Sequence, residues 1–334
     1  MVATTRIADT DLTCSRIGLG TWAIGGWMWG GTDEPEAIRT IQAAVDRGVT
    51  LVDTAPVYGM GTSEDIVGRA LEENRRREEV VLATKAGLNW EGRQPYRDGR
   101  PERIAQEIDD SLRRLRTDVI DIYQVHWPDP MVPIEDTAGA MKNLLDHGKI
   151  RAIGVSNFTT EQMDRFRSES PLHVVQPPYN LFERDVEADV APYVRGNGLT
   201  TLTYGALCRG LLTGKMTADQ TFEGDDLRNV DPKFQGARFA QYVAAVNKLD
   251  TLARERFGKH VIHLALAWLL ARPGVGVALW GARHPGQLEP LTDVDSIQVD
   301  DALRQEIDEI LATTITDPVG PEFMAPPTRE QQAA

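Results

Sequence analysis

Apolar positions along the chain fall into two kinds of run that alternate. Short β-branched or aliphatic stretches at 17–20, 50–53, 80–85, 119–126, 151–156, 173–176, 199–204 and 274–280 read as strands. The segments between them carry apolar residues at helical spacing. Ile38, Ile41, Ala44 and Val45 share one face of 36–47, which ends before Gly48. Thr62 and Asp65 stand in capping-box spacing before Ile66, Ala70 and Leu71, and 103–115 aligns Ile104, Ile108, Leu112 and Leu115. The strand runs are apolar enough to be covered on both faces, the mark of a parallel sheet. Eight strand–helix units predict an α/β fold closed as a (β/α)8 TIM barrel.

Two features depart from strict alternation. Residues 5–7 and 12–15, joined by Ala8-Asp9-Thr10-Asp11, predict an N-terminal β-hairpin. The seventh connection, 205–273, is long enough for a polar loop (217–235) and extra helices at 237–257 and 261–271. The Pro-rich and polar tail after Thr313 is expected to pack as coil with its last few residues loose. No linker interrupts the pattern, so residues 1–334 read as a single domain.

Composition narrows the partners. With 41% apolar and 26% charged residues the chain can bury a large core. A net charge of −14 argues against nucleic acid or an anionic membrane surface as partner. The longest near-apolar stretch, 261–271, contains His263 and falls short of the roughly 20 residues a membrane span needs. Residues 1–12 carry acidic side chains where a signal peptide would be apolar, so a cytoplasmic protein is expected. Cys14 and Cys208 form no disulfide framework, and His126, His173, His260, His263 and His284 show no metal-ligand spacing, so no metal is expected.

In such a barrel the chemistry sits where strands end. Six successive strand runs end in a polar group or Tyr: Asp53, Lys85, His126, Ser156-Asn157, Gln176 and Tyr204. Any one of these has an ordinary reading, as a cap, a solvated charge or a satisfied side chain. Six on one rim do not. Tyr58 follows Asp53 closely and belongs to the same rim. A phenol is a poor acid at neutral pH, and a nearby ammonium lowers its pKa. The catalytic set expected is therefore Tyr58 as acid, Lys85 as its tuner, Asp53 as the anchor of Lys85, and neutral His126 orienting a carbonyl oxygen. Trp22 and Trp127, beside Tyr58 and His126, are the expected substrate-pocket walls, with Trp90, Trp27 and Trp29 as weaker candidates. No Gly-x-Gly-x-x-Gly follows a strand, so a Rossmann dinucleotide site is excluded.

At these residues the sequence resembles the aldo-keto reductases. The likeness rests on Asp53-Thr54-Ala55-Pro56-Val57-Tyr58-Gly59 with Ser63-Glu64 and Gly68, on Ala83-Thr84-Lys85, on Asp121-Ile122-Tyr123-Gln124-Val125-His126, and on the run from Gly148 to Phe158. It extends over about residues 6–291. It implies reduction of a small carbonyl compound, or oxidation of a polyol, with NADP(H). Ser156, Asn157 and Gln176 would hold the nicotinamide carboxamide and Tyr204 would stack on its ring. Residues 207–215 resemble the loop that covers the pyrophosphate, with Arg209 and Lys215 as phosphate ligands. Asp226-Leu227-Arg228 resembles a second piece of that cover. Gly281, Ala282, Arg283 and Gln287 would take the adenosine end, with the Arg283 fork on the 2′-phosphate. Gly20, Thr21, Trp22, Asp53, Gly205, Ala206, Leu207, Cys208, Gly210 and Arg228 complete the implied cofactor contacts. The chain departs from common family residues at Gly205, Trp280 and Leu291. The loop 207–215 and the tail 317–323 resemble the bacterial family 11 type, which includes glyceraldehyde reductases, also described as glycerol dehydrogenases. A non-catalytic, cofactor-binding regulatory partner with this fold is the alternative.

Overall fold

A computed structural model describes residues 2–333. A hairpin of β1 (Thr4–Arg6) and β2 (Thr13–Ser15) precedes the barrel. The barrel strands are β3 (Ile17–Gly20), β4 (Leu51–Asp53), β5 (Val81–Ala86), β8 (Ile120–Val125), β9 (Ile150–Ser156), β10 (Val174–Gln176), β11 (Thr200–Thr203) and β12 (Val277–Gly281). They pair in sequence order, all parallel, and β12 closes on β3. Around them lie α1 (Glu34–Asp46), α2 (Thr62–Glu73), α3 (Pro101–Leu115), α4 (Ile134–Asp146), α5 (Thr160–Arg167), α6 (Val190–Gly196), α7 (Gly236–Phe257), α8 (Val261–Leu270) and α9 (Asp301–Thr314). The eight expected strands, the hairpin and the long seventh connection are all present.

Period-2 alternation along each strand explains why polar groups collect at one end. Inside the barrel, Leu51, Val81, Ala83, Ile122, Val174, Leu202, Val277 and Leu279 form an apolar core. Two residues further along, the same inward face of four strands carries Asp53, Lys85, Gln124 and Gln176. At the opposite end Ile7, Leu12 and Cys14 of the hairpin segment join the core and plug the bottom. Outside, helices bury their apolar stripes against the strands. Ile104, Ile108 and Leu115 of α3 are fully buried, each contributing about 1.5–3 kcal/mol relative to exposure.

Three local expectations need correction. Thr62 does not cap α2. The helix starts after Gly61 in a left-handed conformation (φ 100°) without a side-chain cap, and the Thr62 hydroxyl donates backward to the Gly59 carbonyl at 2.7 Å. Helix α1 begins earlier than its apolar periodicity, because Asp33 accepts from the Glu36 amide and Pro35 suits the first turn. The tail is attached over residues 326–332. Arg97 of a second hairpin, β6 (Leu88–Glu91) and β7 (Gln94–Arg97), donates its amide to the Pro327 carbonyl at 2.9 Å. A final turn, α10 (Arg329–Ala333), is held by ion pairs from Arg329 to Asp98 and Asp129. That second hairpin turns on Gly92-Arg93, with Gly92 at φ 59°, and was not visible as alternation in so short a run.

Candidate active site

Parallel register places the polar strand ends side by side. Asp53 pairs with Ala83 across β4 and β5, and Lys85 pairs with Gln124 across β5 and β8. Lys85 Nζ donates to Asp53 Oδ1 at 2.6 Å and to the Thr54 carbonyl at 2.9 Å, with its side chain fully buried. The second oxygen of Asp53 accepts from Gln124 Nε2 at 3.1 Å and Gln176 Nε2 at 2.9 Å. Gln124 completes this belt although the sequence reading passed it over. It lies between Ile122 and His126 on one face of β8, so alternation alone could have found it. Its room comes from Gly154, where a Cβ would lie 2.7 Å from Gln124 Cγ.

Tyr58 enters from the loop after β4. That loop turns tightly, with Gly61 donating its amide to the Pro56 carbonyl at 2.7 Å. Gly59 sits at φ 70°, and a Cβ there would lie 2.1 Å from the Gly25 carbonyl oxygen, so only glycine fits. Ser63 at the start of α2 accepts from Thr54 and donates to Thr21 Oγ1, which ties the loop to the rim. The result sets Tyr58 Oη 3.3 Å from Lys85 Nζ. His126 meets the Tyr58 ring edge-on at 5.7 Å, and Trp22 stacks on it at 5.9 Å.

Electrostatics gives each group a protonation state. Burial pushes the Tyr58 phenol well above its ordinary pKa, and the Asp53 charge acts in the same direction. The expected lowering by Lys85 does not result, because desolvation of a buried phenolate dominates. Burial holds His126 well below its ordinary value, helped by the Lys85 charge, so its imidazole is neutral. Burial also lowers Lys85, opposed by Asp53. The site thus presents a protonated phenol, a neutral imidazole and a buried ion pair.

A cleft of about 420 Å³ opens over Tyr58 and His126. Trp22, Trp27 and Trp127 line it, together with Ser156, Asn157, Gln176 and Tyr204. Trp90 does not. It sits on β6 between cleft-lining neighbours, but its ring lies against the Arg103 guanidinium at 5.8 Å. The sequence reading also missed the opposite wall, made by Phe323, Met324, Pro326 and Pro327 of the tail. Proline-rich coil offers no periodicity to follow.

The residues expected at the nucleotide divide into two groups. Asn157, at φ 61°, donates to the His126 carbonyl and to Ser156 Oγ, and accepts from Tyr204 Oη at 2.9 Å. Ser156 in turn donates to the Gln176 carbonyl at 2.8 Å, so Ser156, Asn157, Gln176 and Tyr204 form one connected group at the cleft. Thr21 donates to the Asp53 carbonyl beside Gly20, and Gly281 has open space at its Cβ position. Gly205 adopts φ 71°, which accounts for glycine there. Ala206, Leu207 and Cys208 are buried, and Cys208, Arg209 and Gly210 run through left-handed conformations. Arg209 is not placed to hold a phosphate. Its buried guanidinium binds Glu183 at 2.5 Å and Asp231 at 2.7 Å, and both carboxylates are also buried. Arg228 is engaged by Asp226 and covers Phe222 at 4.2 Å. Arg283 donates to the Trp29 and Gly31 carbonyls at 2.8 and 2.7 Å, while its amide binds Gln287. Lys215 is exposed and makes no ion pair among the described residues. The structure thus brings Ser156, Asn157, Gln176 and Tyr204 together at the cleft, whereas Arg209, Arg228 and Arg283 are each engaged by partners within the protein.

Comparison with known proteins decides the family. The aldo/keto reductase family profile matches residues 16–312. This chain belongs to that family. It is 62% identical to aldo-keto reductase YhdN of Bacillus subtilis (strain 168) over 98% of this chain and 99% of that protein. It is 36% identical to an NADH-specific methylglyoxal reductase of Escherichia coli (strain K12), over 91% of this chain and 98% of that one. The structure of the glycerol dehydrogenase AKR11B4 from Gluconobacter oxydans superposes with a TM-score of 0.87 at 51% identity, covering 96% of this chain and 99% of that one. Aldo-keto reductase AKR11C1 from Bacillus halodurans, in its holo form, gives 0.75 at 26% identity over 93% and 96%. The protein is thus an aldo-keto reductase of the bacterial family 11 type, an oxidoreductase that uses a nicotinamide cofactor. Among the described residues no helix is long and apolar enough to cross a membrane, and no group of three or more His, Cys, Asp or Glu side chains could hold a metal ion.

Proposed function

We propose that this reductase interconverts small aldehydes or ketones, glyceraldehyde among them, and the corresponding alcohols and polyols, with NADP(H) and with Tyr58 as general acid and base. The observation that carries the reading is Tyr58 Oη within 3.3 Å of Lys85 Nζ, itself locked on Asp53 at 2.6 Å, at the floor of the cleft. The reduced nicotinamide, when bound, supplies the hydride. Tyr58 holds the proton that the carbonyl oxygen takes, since burial keeps the phenol protonated. Lys85 donates to the phenolic oxygen and stabilises the phenolate left behind, and Asp53 keeps Lys85 charged. Neutral His126 donates to the carbonyl oxygen and fixes its direction. Trp22 and Trp127 keep water from the reacting atoms. Ser156, Asn157 and Gln176 orient the carboxamide, Tyr204 backs the ring, and Arg283 recognises the 2′-phosphate after releasing the Trp29 and Gly31 carbonyls.

The test follows NADPH absorbance with glyceraldehyde as substrate for wild type and Tyr58→Phe, with NADH in parallel. General acid catalysis contributes roughly 10²–10⁴-fold, so the variant should lose turnover on that scale while binding NADPH as wild type does. Tight NADPH binding by a wild type that turns over none of a panel of small carbonyls would favour a regulatory partner instead.

A further inference from the structure

Four buried charges lie outside the reacting centre and join segments far apart in sequence. Glu183 follows β10, Arg209 follows β11, and Asp231 and Lys233 end the long loop before α7. Arg209 binds Glu183 and Asp231, and Lys233 Nζ binds Glu183 Oε1 at 2.8 Å. Two positive and two negative charges are thus enclosed with net charge zero, and Lys233 is fully buried. Lys233 makes one more bond. Its Nζ donates to the carbonyl of Gly320, in the tail, at 2.9 Å.

The two segments that meet there do different things. The loop ahead of Lys233 is a strap across the rim. Its Leu227 amide donates to the Met28 carbonyl at 2.9 Å, and its Asp225 accepts from the Met28 and Gly30 amides. The tail beyond Gly320 walls the cleft through Phe323 and Met324, and the Phe323 ring lies 5.9 Å from the Arg209 guanidinium. We infer that Lys233 is a positioning residue that couples the two, so that the strap over the cofactor and the tail wall over the substrate order as one unit. This rests on the reading of the strap as cofactor cover. The physical reason is that a buried ammonium cannot lose one partner cheaply. If the tail lifts, Lys233 and Glu183 must be rehydrated or left undercompensated, which also loosens Asp231 and the strap. Coupling of this kind is reciprocal: whatever orders the strap must order the tail.

Amide hydrogen exchange on the full-length protein tests this without turnover. Peptides covering 222–235 and 317–327 are followed with and without saturating NADP⁺, in wild type and in Lys233→Met. In wild type both should slow by several-fold on binding. In Lys233→Met the strap should still slow and the tail should not. Strap protection with an unchanged tail in wild type overturns the coupling, and that result needs no variant to fold. Tail protection that persists in Lys233→Met overturns the role of Lys233. If neither peptide responds although NADP⁺ binding is measured separately, the strap is not the cofactor cover and the inference falls with that reading.

Discussion

Replacing Asp53 by Asn should expose what the buried ion pair costs and contributes. The Lys85 side chain is fully buried and, among the described residues, its ion-pair partner is Asp53 at 2.6 Å. At an effective dielectric of 20 that contact is worth about 6 kcal/mol of attraction. An asparagine oxygen retains part of it as a hydrogen bond. Its amide nitrogen, however, meets the Nε2 donors of Gln124 and Gln176, which now face Asp53 Oδ2. A loss of about 3–5 kcal/mol at pH 7 is expected, the range for breaking a buried pair on one side. The loss should shrink as pH rises. Burial already lowers Lys85 with Asp53 present, and without Asp53 the folded-state value drops further. A folded pKa below the unfolded one means the unfolded chain binds the proton more tightly, so stability grows with pH through that window. Urea unfolding of variant and wild type at pH 7, 8 and 9, compared at each pH, measures this. Asp53→Asn combined with Lys85→Met removes both charges and should recover much of the loss. A single-variant cost under about 1 kcal/mol, unchanged from pH 7 to 9, would refute the claim that Lys85 is a desolvated cation held by Asp53.

Three further outcomes follow from other parts of the molecule. Burial raises the Glu107 carboxyl to about 8 from its ordinary 4.5, so its contribution is present at low pH and is lost as pH rises through the folded value. Relative to Glu107→Gln, wild type should lose about 2–3 kcal/mol of unfolding free energy between pH 6 and 8, and parallel curves would reject the raised value. Arg283→Leu should weaken NADPH binding by about tenfold or more while leaving NADH nearly unchanged, as titrated by cofactor fluorescence. Equal weakening of both would make Arg283 a latch on the Trp29–Gly31 loop alone. Arg93 is the one formally charged residue lining the cleft among the described residues, His126 being neutral. Arg93→Glu should raise KM about fivefold for aldehydes bearing a distal carboxylate, with neutral aldehydes as the control, on the scale of an exposed charge pair.

Much of this was legible before the structure, for a definite reason. Barrel strands repeat one pattern, apolar inside and polar at the C-terminal rim, and Leu51-to-Asp53 or Ala83-to-Lys85 shows it directly. The strand ends and the relation of Tyr58 to Lys85 follow from that pattern. What failed to show were partners. Arg209 in a loop resembling a phosphate cover looks like a free cation, because the sequence cannot display Glu183 and Asp231 closing on it. Trp90 looked like a pocket wall for the same reason: a short hairpin decides where its ring points. The tail wall was hidden because Phe323 and Pro326 belong to a short 3-10 turn and the coil after it, whose position depends on Arg97 and Lys233.

The same contrast bears on how this site can change. The ion pair, the amide belt and the Tyr58 loop are fixed by strand register and by glycines with no room for a side chain, such as Gly59 and Gly154. Altering any of them disturbs several strands at once. The tail wall of the cleft hangs on side-chain attachments instead, among them Arg97 to the Pro326 and Pro327 carbonyls, Arg329 to Asp98 and Asp129, and Lys233 to Gly320. A substitution in the tail therefore reshapes the substrate space without moving Tyr58, Lys85 or His126. Substrate range should vary readily among proteins that keep this floor, and the chemistry should not.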